Sequence, residues 1–107
     1  MSGRTPTTAA AADGEADAAR EREREARIAA ARTGMTLAHW ASRQPDRPAF
    51  VSPHGDRTFA ELNAEANRLA RALRRRGLAP GDAVAAMIPN RVEFATVLMA
   101  ALRTGLR

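Results

Sequence analysis

The stretch Thr58–Gly77, TFAELNAEANRLARALRRRG, constrains the fold more than any other part of the chain. Thr58 is followed three residues later by Glu61, the pattern of a capping box, in which the two side chains satisfy backbone N–H groups at a helix start. Apolar residues then recur at spacings of three and four, which predicts one apolar stripe on a helix of about five turns. The stripe comprises Phe59, Leu62, Ala66, Leu69, Ala70 and Leu73. Arginines crowd the last turn, where the helix dipole favours positive charge, and Gly77 can adopt the left-handed conformation that closes a helix.

A shorter helix is predicted upstream, with Thr36 as its N-cap and Gln44 near its end. Two prolines follow at once, and residues before proline avoid the helical region. Trp40, the single tryptophan, is predicted to anchor this helix to the body of the protein. We interpret its neighbour His39 as a surface residue of the helix, because no partner for a ligand or base is evident in the sequence.

Residues 49–52 predict a short strand, and the Pro-His-Gly-Asp sequence at 53–56 predicts a turn, so that a small hairpin leads into the long helix. Ser52, His54 and Asp56 are the residue types of a catalytic triad. We reject that interpretation, because three such residues within five along one tight turn cannot readily form the relay geometry of nucleophilic catalysis.

Beyond the long helix, a second turn is predicted at residues 78–82. The apolar run AVAAMI at 83–88 is typical of a strand buried on both faces, as in parallel sheets. Asn90 is predicted to cap a last helix, with Glu93 three residues on. That helix, within residues 91–104, is apolar nearly all round, so we expect it to pack against something substantial or to self-associate. Strand, helix, strand and helix from residue 49 predict an α/β fold with a right-handed crossover.

Residues 1–34 differ from the rest of the chain. Residues 1–16 are small and polar and predict disorder, and residues 17–32, rich in Ala, Glu and Arg, predict a solvated and partly helical tail. We therefore divide the chain into a tail at 1–34 and an organised part at 35–107. A further hypothesis is that Met35 is the natural start, because the organised pattern begins there. An interaction arm formed by the RERERE run is the alternative for the tail.

Composition excludes several kinds of site. The chain has 107 residues, no cysteine and a net charge of +5, so disulfides and thiolate metal sites are impossible. All 17 basic residues are arginine, which excludes a Schiff-base lysine and a phosphate-loop lysine. No run is long and apolar enough to span a bilayer, and no signal peptide is evident, so we expect a cytoplasmic protein. The basic pI leaves open a free-standing small helical protein that binds nucleic acid or a protein partner.

Several of these segments together resemble the opening of the AMP-forming acyl-CoA synthetase family, the adenylate-forming ligases. The similar segments are Thr58-Phe59-x-Glu61-Leu62, Asn67-Arg68-Leu69-Ala70, Leu73, Gly77, Gly81-Asp82-x-Val84-Ala85, Pro89-Asn90, Glu93-Phe94 and the ALRTG of Ala101–Gly105. The resemblance covers residues 35–107, and among the subfamilies the sequence looks most similar to the fatty-acyl-CoA ligases. It implies an N-terminal helix, a short hairpin and the βαβα portion of the large domain of such a ligase.

For the family, the resemblance implies activation of a carboxylic acid by ATP and magnesium to an acyl-adenylate, followed by transfer to CoA. The family's phosphate loop, adenine pocket and catalytic lysine have no counterpart in these residues. We therefore assign no catalytic, cofactor-binding or metal-binding residue. The chain is interpreted as an N-terminal fragment of a fatty-acid-activating ligase, marginally stable and inactive alone.

Overall fold

The computed structural model describes residues 8–89 and 91–107. Its elements in chain order are helix α1 (Thr8–Arg32), helix α2 (Thr36–Arg43), strand β1 (Pro48–Phe50), strand β2 (Arg57–Thr58), helix α3 (Phe59–Arg75) and helix α4 (Val92–Thr104). The predicted cap at Asn90 and the predicted disorder of residues 1–7 lie outside the described residues.

The start of α3 is held as its sequence predicts. The Thr58 hydroxyl accepts a hydrogen bond from the Glu61 N–H, and the Glu61 carboxylate accepts one from the Thr58 N–H, both at 3.1 Å. The two helix amides that precede Glu61, those of Phe59 and Ala60, donate at 3.0 Å to the backbone carbonyls of residues 47 and 45. The loop after α2 and the first turn of α3 are therefore joined by backbone bonds as well as by the capping box.

The end of α3 also agrees with the prediction. Gly77 has a φ of 86°, its N–H donates to the carbonyl of Arg74 at 2.9 Å, and the N–H of Leu78 donates to the carbonyl of Leu73 at 3.3 Å. These two bonds form a Schellman motif, which satisfies carbonyls that the helix itself leaves free.

The core lies where α3 meets α4 and α2. Leu62 and Ala66 of α3, Val92 and Ala95 of α4, and Leu37 of α2 are all buried in one cluster. Ala100 of α4 is fully buried as well. Small side chains dominate the contact between α3 and α4, so the two backbones can approach closely. The apolar stripe predicted for α3 is therefore its packing face.

The two strands form an antiparallel hairpin in which Pro48 lies opposite Thr58 and Phe50 opposite Arg57. The hairpin leads directly into α3, as predicted. Trp40 of α2 approaches Phe59, with ring centroids 6.4 Å apart. The prediction that Trp40 anchors α2 to the body is confirmed.

Helix α1 corrects the prediction that residues 8–16 are disordered, since they lie in one continuous 25-residue helix. Alanine has the highest helix propensity, and a run of alanines supports a helix without a packed face. Most of α1 is exposed, and only small side chains and Glu23 on one side are half-buried. The helix extends the molecule to 74 Å in its longest dimension.

The prediction that His39 is a surface residue was wrong. Its side chain is 5% exposed, and Nε2 lies 2.9 Å from Oε1 of Glu23 in α1. Nε2 makes no hydrogen bond of standard geometry within the described residues. Helix α1 covers this face of α2, and an approach between residues sixteen positions apart leaves no periodic signal in the sequence.

The prediction that Thr36 caps α2 was also wrong, because Thr36 is the first residue of the helix and Met35 is the N-cap. The chain enters α2 from a tight turn in which the Met35 N–H donates to the carbonyl of Ala30 at 2.7 Å. Met35 consequently has φ −106° and ψ 20°, not the extended conformation from which a threonine cap bonds the helix start.

Residues 83–88 do not form the buried strand that their composition predicts. No strand is assigned to them, most are exposed, and Met87 is 100% exposed. A strand buried on both faces needs neighbouring strands and covering helices. The only sheet within the described residues is the β1–β2 hairpin, which lies elsewhere in the fold.

Candidate functional site

A groove of about 640 Å³ lies between α3 and α4. Its walls combine apolar residues with charged and polar ones. They are Arg57, Glu65, Arg68, Leu69, Val92, Glu93, Thr96 and Val97.

Glu65 joins the elements around this groove. Its Oε1 accepts a hydrogen bond of 2.7 Å from Arg57 Nε, and its Oε2 accepts one of 3.2 Å from the Thr96 hydroxyl. The hydrogen bond and the charge of Glu65 raise the pKa of Arg57. Because the Arg57 charge is matched by Glu65, the groove offers little net attraction to an anionic ligand.

The N-terminus of α3 is not available to phosphate. A helix start binds anions when its first N–H groups are free. The first amides of α3 are instead bound to two loop carbonyls and to the Thr58 hydroxyl. The structure therefore explains the capping box as a structural device.

Ser52 and Asp56, two of the residue types that a catalytic triad uses, bond within the turn itself. The Ser52 hydroxyl donates to the carbonyl of Gly55 at 2.8 Å and accepts from the His54 N–H at 3.2 Å. Oδ1 of Asp56 accepts from the Ser52 N–H at 3.1 Å. The side chains of Ser52 and Asp56 thus close the turn, His54 takes part through its backbone N–H, and Gly55 supplies its positive φ of 130°.

The arginines at the end of α3 were predicted to interact favourably with the negative end of the helix dipole. Arg71, Arg74, Arg75 and Arg76 are exposed. Among the described residues no aromatic side chain lies between these arginines in the sequence, and proteins that bind single-stranded nucleic acid use aromatic side chains for base stacking. The described residues also hold no group of three or more His, Cys, Asp or Glu placed to hold a metal ion. None of the helices they form is both long and apolar enough to cross a membrane.

A polar contact of Arg103 was also not predicted. Arg103 of α4 donates to Oδ1 of Asn63 at 2.8 Å and also to Oδ1 of Asn67, both in α3. Arg103 and Asn67 both lie in segments on which the family resemblance depends. Their pairing shows that these segments form one helix–helix contact.

Comparison with known proteins decides the family. The sequence model described as "AMP-binding enzyme" matches residues 37–107. The chain belongs to the AMP-binding enzyme family. The match leaves out α1, as the resemblance predicted, and contains α2 from its second residue together with the hairpin, α3 and α4.

The names of the relatives describe different reactions. The chain is 42% identical over 74 residues to a salicyl-AMP ligase / salicyl-S-ArCP synthetase of Mycobacterium tuberculosis, a match that covers 64% of the chain and 13% of the relative. It is 40% identical over 74 residues to the long-chain-fatty-acid–CoA ligase FadD13 of the same species, which covers 67% of the chain and 15% of the relative. The chain therefore spans less than a sixth of the length of these ligases.

A solved structure confirms the fold. The fatty acyl CoA synthetase of Mycobacterium tuberculosis superposes with a TM-score of 0.64 and 38% identity, covering 69% of this chain and 15% of that one. The part of the chain that superposes thus has the α/β fold of an adenylate-forming ligase, as predicted.

Proposed function

We propose that this chain supplies N-terminal framework of a fatty-acid-activating AMP-forming ligase and has no ligase activity alone. The observation that carries the proposal is that the family match, over residues 37–107, covers helices and a hairpin in which the polar groups that could have met a ligand are engaged within the fold. In the groove between α3 and α4, Glu65 is held by Arg57 and Thr96. At the start of α3, the first amides are held by the preceding loop.

The reaction of the family is proposed to use ATP, magnesium and CoA, but the residues of this chain are not proposed to bind them. The first amides of α3 are occupied, and the described residues hold no group of three or more His, Cys, Asp or Glu for a divalent cation. The sequence also contains no lysine to contact phosphates. We therefore derive no catalytic step from this chain's own residues.

Fatty acid is the acyl substrate that we propose for the complete reaction. The support is the similarity to FadD13 and to the solved fatty acyl CoA synthetase. The salicyl-AMP ligase has a comparable identity, so salicylate is the competing substrate class.

The test is pyrophosphate release by the purified chain with ATP, magnesium and CoA. Palmitate and salicylate are supplied in parallel reactions, and full-length FadD13 serves as the positive control. We expect no release above the buffer rate with either acid. Turnover that copurifies with the chain and is lost when residues 58–104 are deleted would overturn the proposal.

A further inference from the structure

Five unpaired arginines are gathered in the last turns of α3 and just after it. Several arginines elsewhere are engaged within the fold, as Arg57 is by Glu65. None of the five side chains at the end of α3 makes a hydrogen bond or an ion pair to another described residue. They are Arg68, Arg71, Arg74, Arg75 and Arg76, and all of them are exposed.

The carboxylates nearest to this cluster along the chain are already engaged. Glu61 and Glu65 are held by the hydrogen bonds described above. On the other side of the cluster, Oδ2 of Asp82 accepts a hydrogen bond of 2.7 Å from the Ala79 N–H. The cluster therefore receives no ion pair from the sequence on either side of it.

The helix dipole accounts for only part of the cluster. Its effect falls off within the last turn of a helix, which in α3 holds Arg74 and Arg75. Arg68 and Arg71 precede that turn. Arg71 and Arg75 are also four residues apart, a spacing at which like charges destabilise a helix. The fold thus gives Arg68 and Arg71 no stabilising contact.

Arg68, Arg71 and Arg75 lie on one face of α3, because their spacings are three and four. We call these three residues the arginine row, which is about 10 Å long at 1.5 Å per residue. Ala64 and Ala72 lie beside the row at spacings of four and are exposed as well. Small side chains on a helix face allow the axis of another helix to come close. This face therefore combines positive charge with room for a second helix.

We propose that the arginine row is a docking surface for an acidic helix of a partner protein. Glutamates at spacings of three and four on such a helix repeat the spacing of the row. Each guanidinium can form a bidentate pair with one carboxylate. Helix α1 of a second copy does not fit, because its acids alternate with arginines and Asp17 and Glu21 each pair with the arginine three residues on.

Two other polyanions match this face less well. Helices that lie on anionic membranes insert an apolar face into the lipid, but the apolar face of α3 is buried through Leu62 and Ala66. A nucleic-acid duplex is bound through several phosphates and through the edges of its grooves, whereas the row offers three charges on one short line. The spacing of the row and its exposed alanines favour a helix.

The probe is an alanine-based helical peptide of about 20 residues, since shorter helices are marginal in water. Its glutamates repeat at spacings of three and four, so that they share one face. An out-of-phase peptide of the same composition distributes them around the helix. Each peptide is titrated at low ionic strength into isotope-labelled full chain, up to about 1 mM, and amide shifts are followed by NMR. We expect saturable shifts at residues 64–75 and about tenfold tighter binding of the in-phase peptide.

Two arginine variants provide a matched pair. Arg71→Ala removes the centre of the row and should weaken binding of the in-phase peptide about fivefold, while Arg71→Lys should recover part of the loss. Arg76→Ala removes the same charge from the same cluster, but residue 76 is turned about 100° around the axis from Arg75. It should change binding by less than about twofold. Both arginines are exposed and unpaired, so the amide spectra of the free variants should match the wild type.

Three results would overturn the docking surface: no saturable shift, equal affinity of the two peptides, or equal effects of Arg71→Ala and Arg76→Ala. A short DNA duplex and vesicles of phosphatidylserine and phosphatidylcholine are titrated in parallel. If either binds more tightly than the in-phase peptide and Arg71→Ala weakens that binding, the row belongs to nucleic acid or to a membrane, and the acidic helix is overturned. These readouts contain no ligase activity, so they can fail while the proposed function stands, and the proposed function can fail while they succeed.

Discussion

Arg103 of α4 and Asn63 of α3 are joined by a hydrogen bond of 2.8 Å between the guanidinium and the amide oxygen. The same guanidinium donates to Asn67 one helical turn further on. Burial lowers the pKa of Arg103, and its Nε is buried without a partner among the described residues. A cation is thus inserted between two helices whose other contacts are mostly small and apolar. It fixes the register of α3 against α4.

Replacing this arginine should therefore cost stability. We expect Arg103→Ala to lower the free energy of unfolding by about 1–3 kcal/mol, because two half-buried amide oxygens lose their donor. Arg103→Lys should recover only part of the loss, since one ammonium does not match the planar fork. Urea titration measures both. Arg71→Ala, on the exposed side of α3, is the control and should change stability by less than about 0.5 kcal/mol. Equal effects of Arg103→Ala and Arg71→Ala would contradict the bridging role.

The two threonines at predicted helix starts should differ in their importance. Thr58→Ala removes the acceptor for the Glu61 N–H and should cost about 1 kcal/mol. Thr36→Ala should cost less than about 0.5 kcal/mol, because Thr36 makes no capping bond. Thermal unfolding of the two variants is the measurement. A larger loss from Thr36→Ala would show that the start of α2 is capped differently in solution.

The same two threonines show how far sequence reasoning reaches. At α3, the cap, the apolar stripe and the glycine stop all depend on residues within a few positions of each other, so periodicity and propensity predict them. At α2, the backbone conformation is set by the preceding turn that follows α1. A correct residue type at position 36 is then not enough to produce a cap.

Residues 83–88 and His39 show the other limit. The apolar run at 83–88 was predicted as a buried strand, but burial depends on neighbouring strands that the described residues do not supply. His39 was predicted at the surface, but α1 covers it. Both outcomes depend on which distant segment packs alongside. That the chain holds no site residues stays a prediction from missing motifs. The pairing of Glu65 with Arg57 and Thr96 in the groove was visible only in the structure.

Gly34 connects α1 to the family unit through a close approach. Its φ is 72°, and a Cβ placed there would lie 2.1 Å from the carbonyl oxygen of Leu102 in α4. Gly77 has a similar φ of 86°, but a Cβ there would meet nothing within 4 Å. Alanine substitutions at these two positions therefore distinguish the cost of backbone strain from the cost of steric overlap.

We expect Gly77→Ala to cost about 1–2 kcal/mol, the strain of a left-handed alanine. Gly34→Ala should cost clearly more, because backbone atoms of α4 must also move. Amide exchange should locate the loss: fast exchange at the end of α1 and at Leu102 is expected only for Gly34→Ala. If the two variants have equal stability and equal exchange, the approach of Gly34 to α4 is not maintained in solution.

The contact between α1 and α2 should depend on pH through Glu23. The hydrogen bond from Arg43 Nε, at 2.7 Å, is the main cause that lowers the pKa of Glu23, and the charges of Arg43 and His39 add to it. A carboxylate with a lowered pKa in the folded state stabilises that state at pH values above its unfolded pKa. The stabilisation is lost as pH falls through the lower, folded value. We therefore expect α1 to loosen from α2 as the solution is acidified below the ordinary pKa of a glutamate, about 4.3.

Amide exchange of α1 across this range measures the effect, which should be modest because Glu23 is partly exposed to solvent. Other carboxylates, Glu61 among them, titrate in the same range. The informative quantity is therefore the difference between the wild-type chain and Glu23→Gln. The variant should exchange faster in α1 at neutral pH and should show less change on acidification. Glu21→Gln, two residues away on the exposed side of α1, is the matched control and should behave like the wild type. If the wild type and Glu23→Gln respond equally to acid, the contacts of Glu23 with Arg43 and His39 do not hold α1 in place.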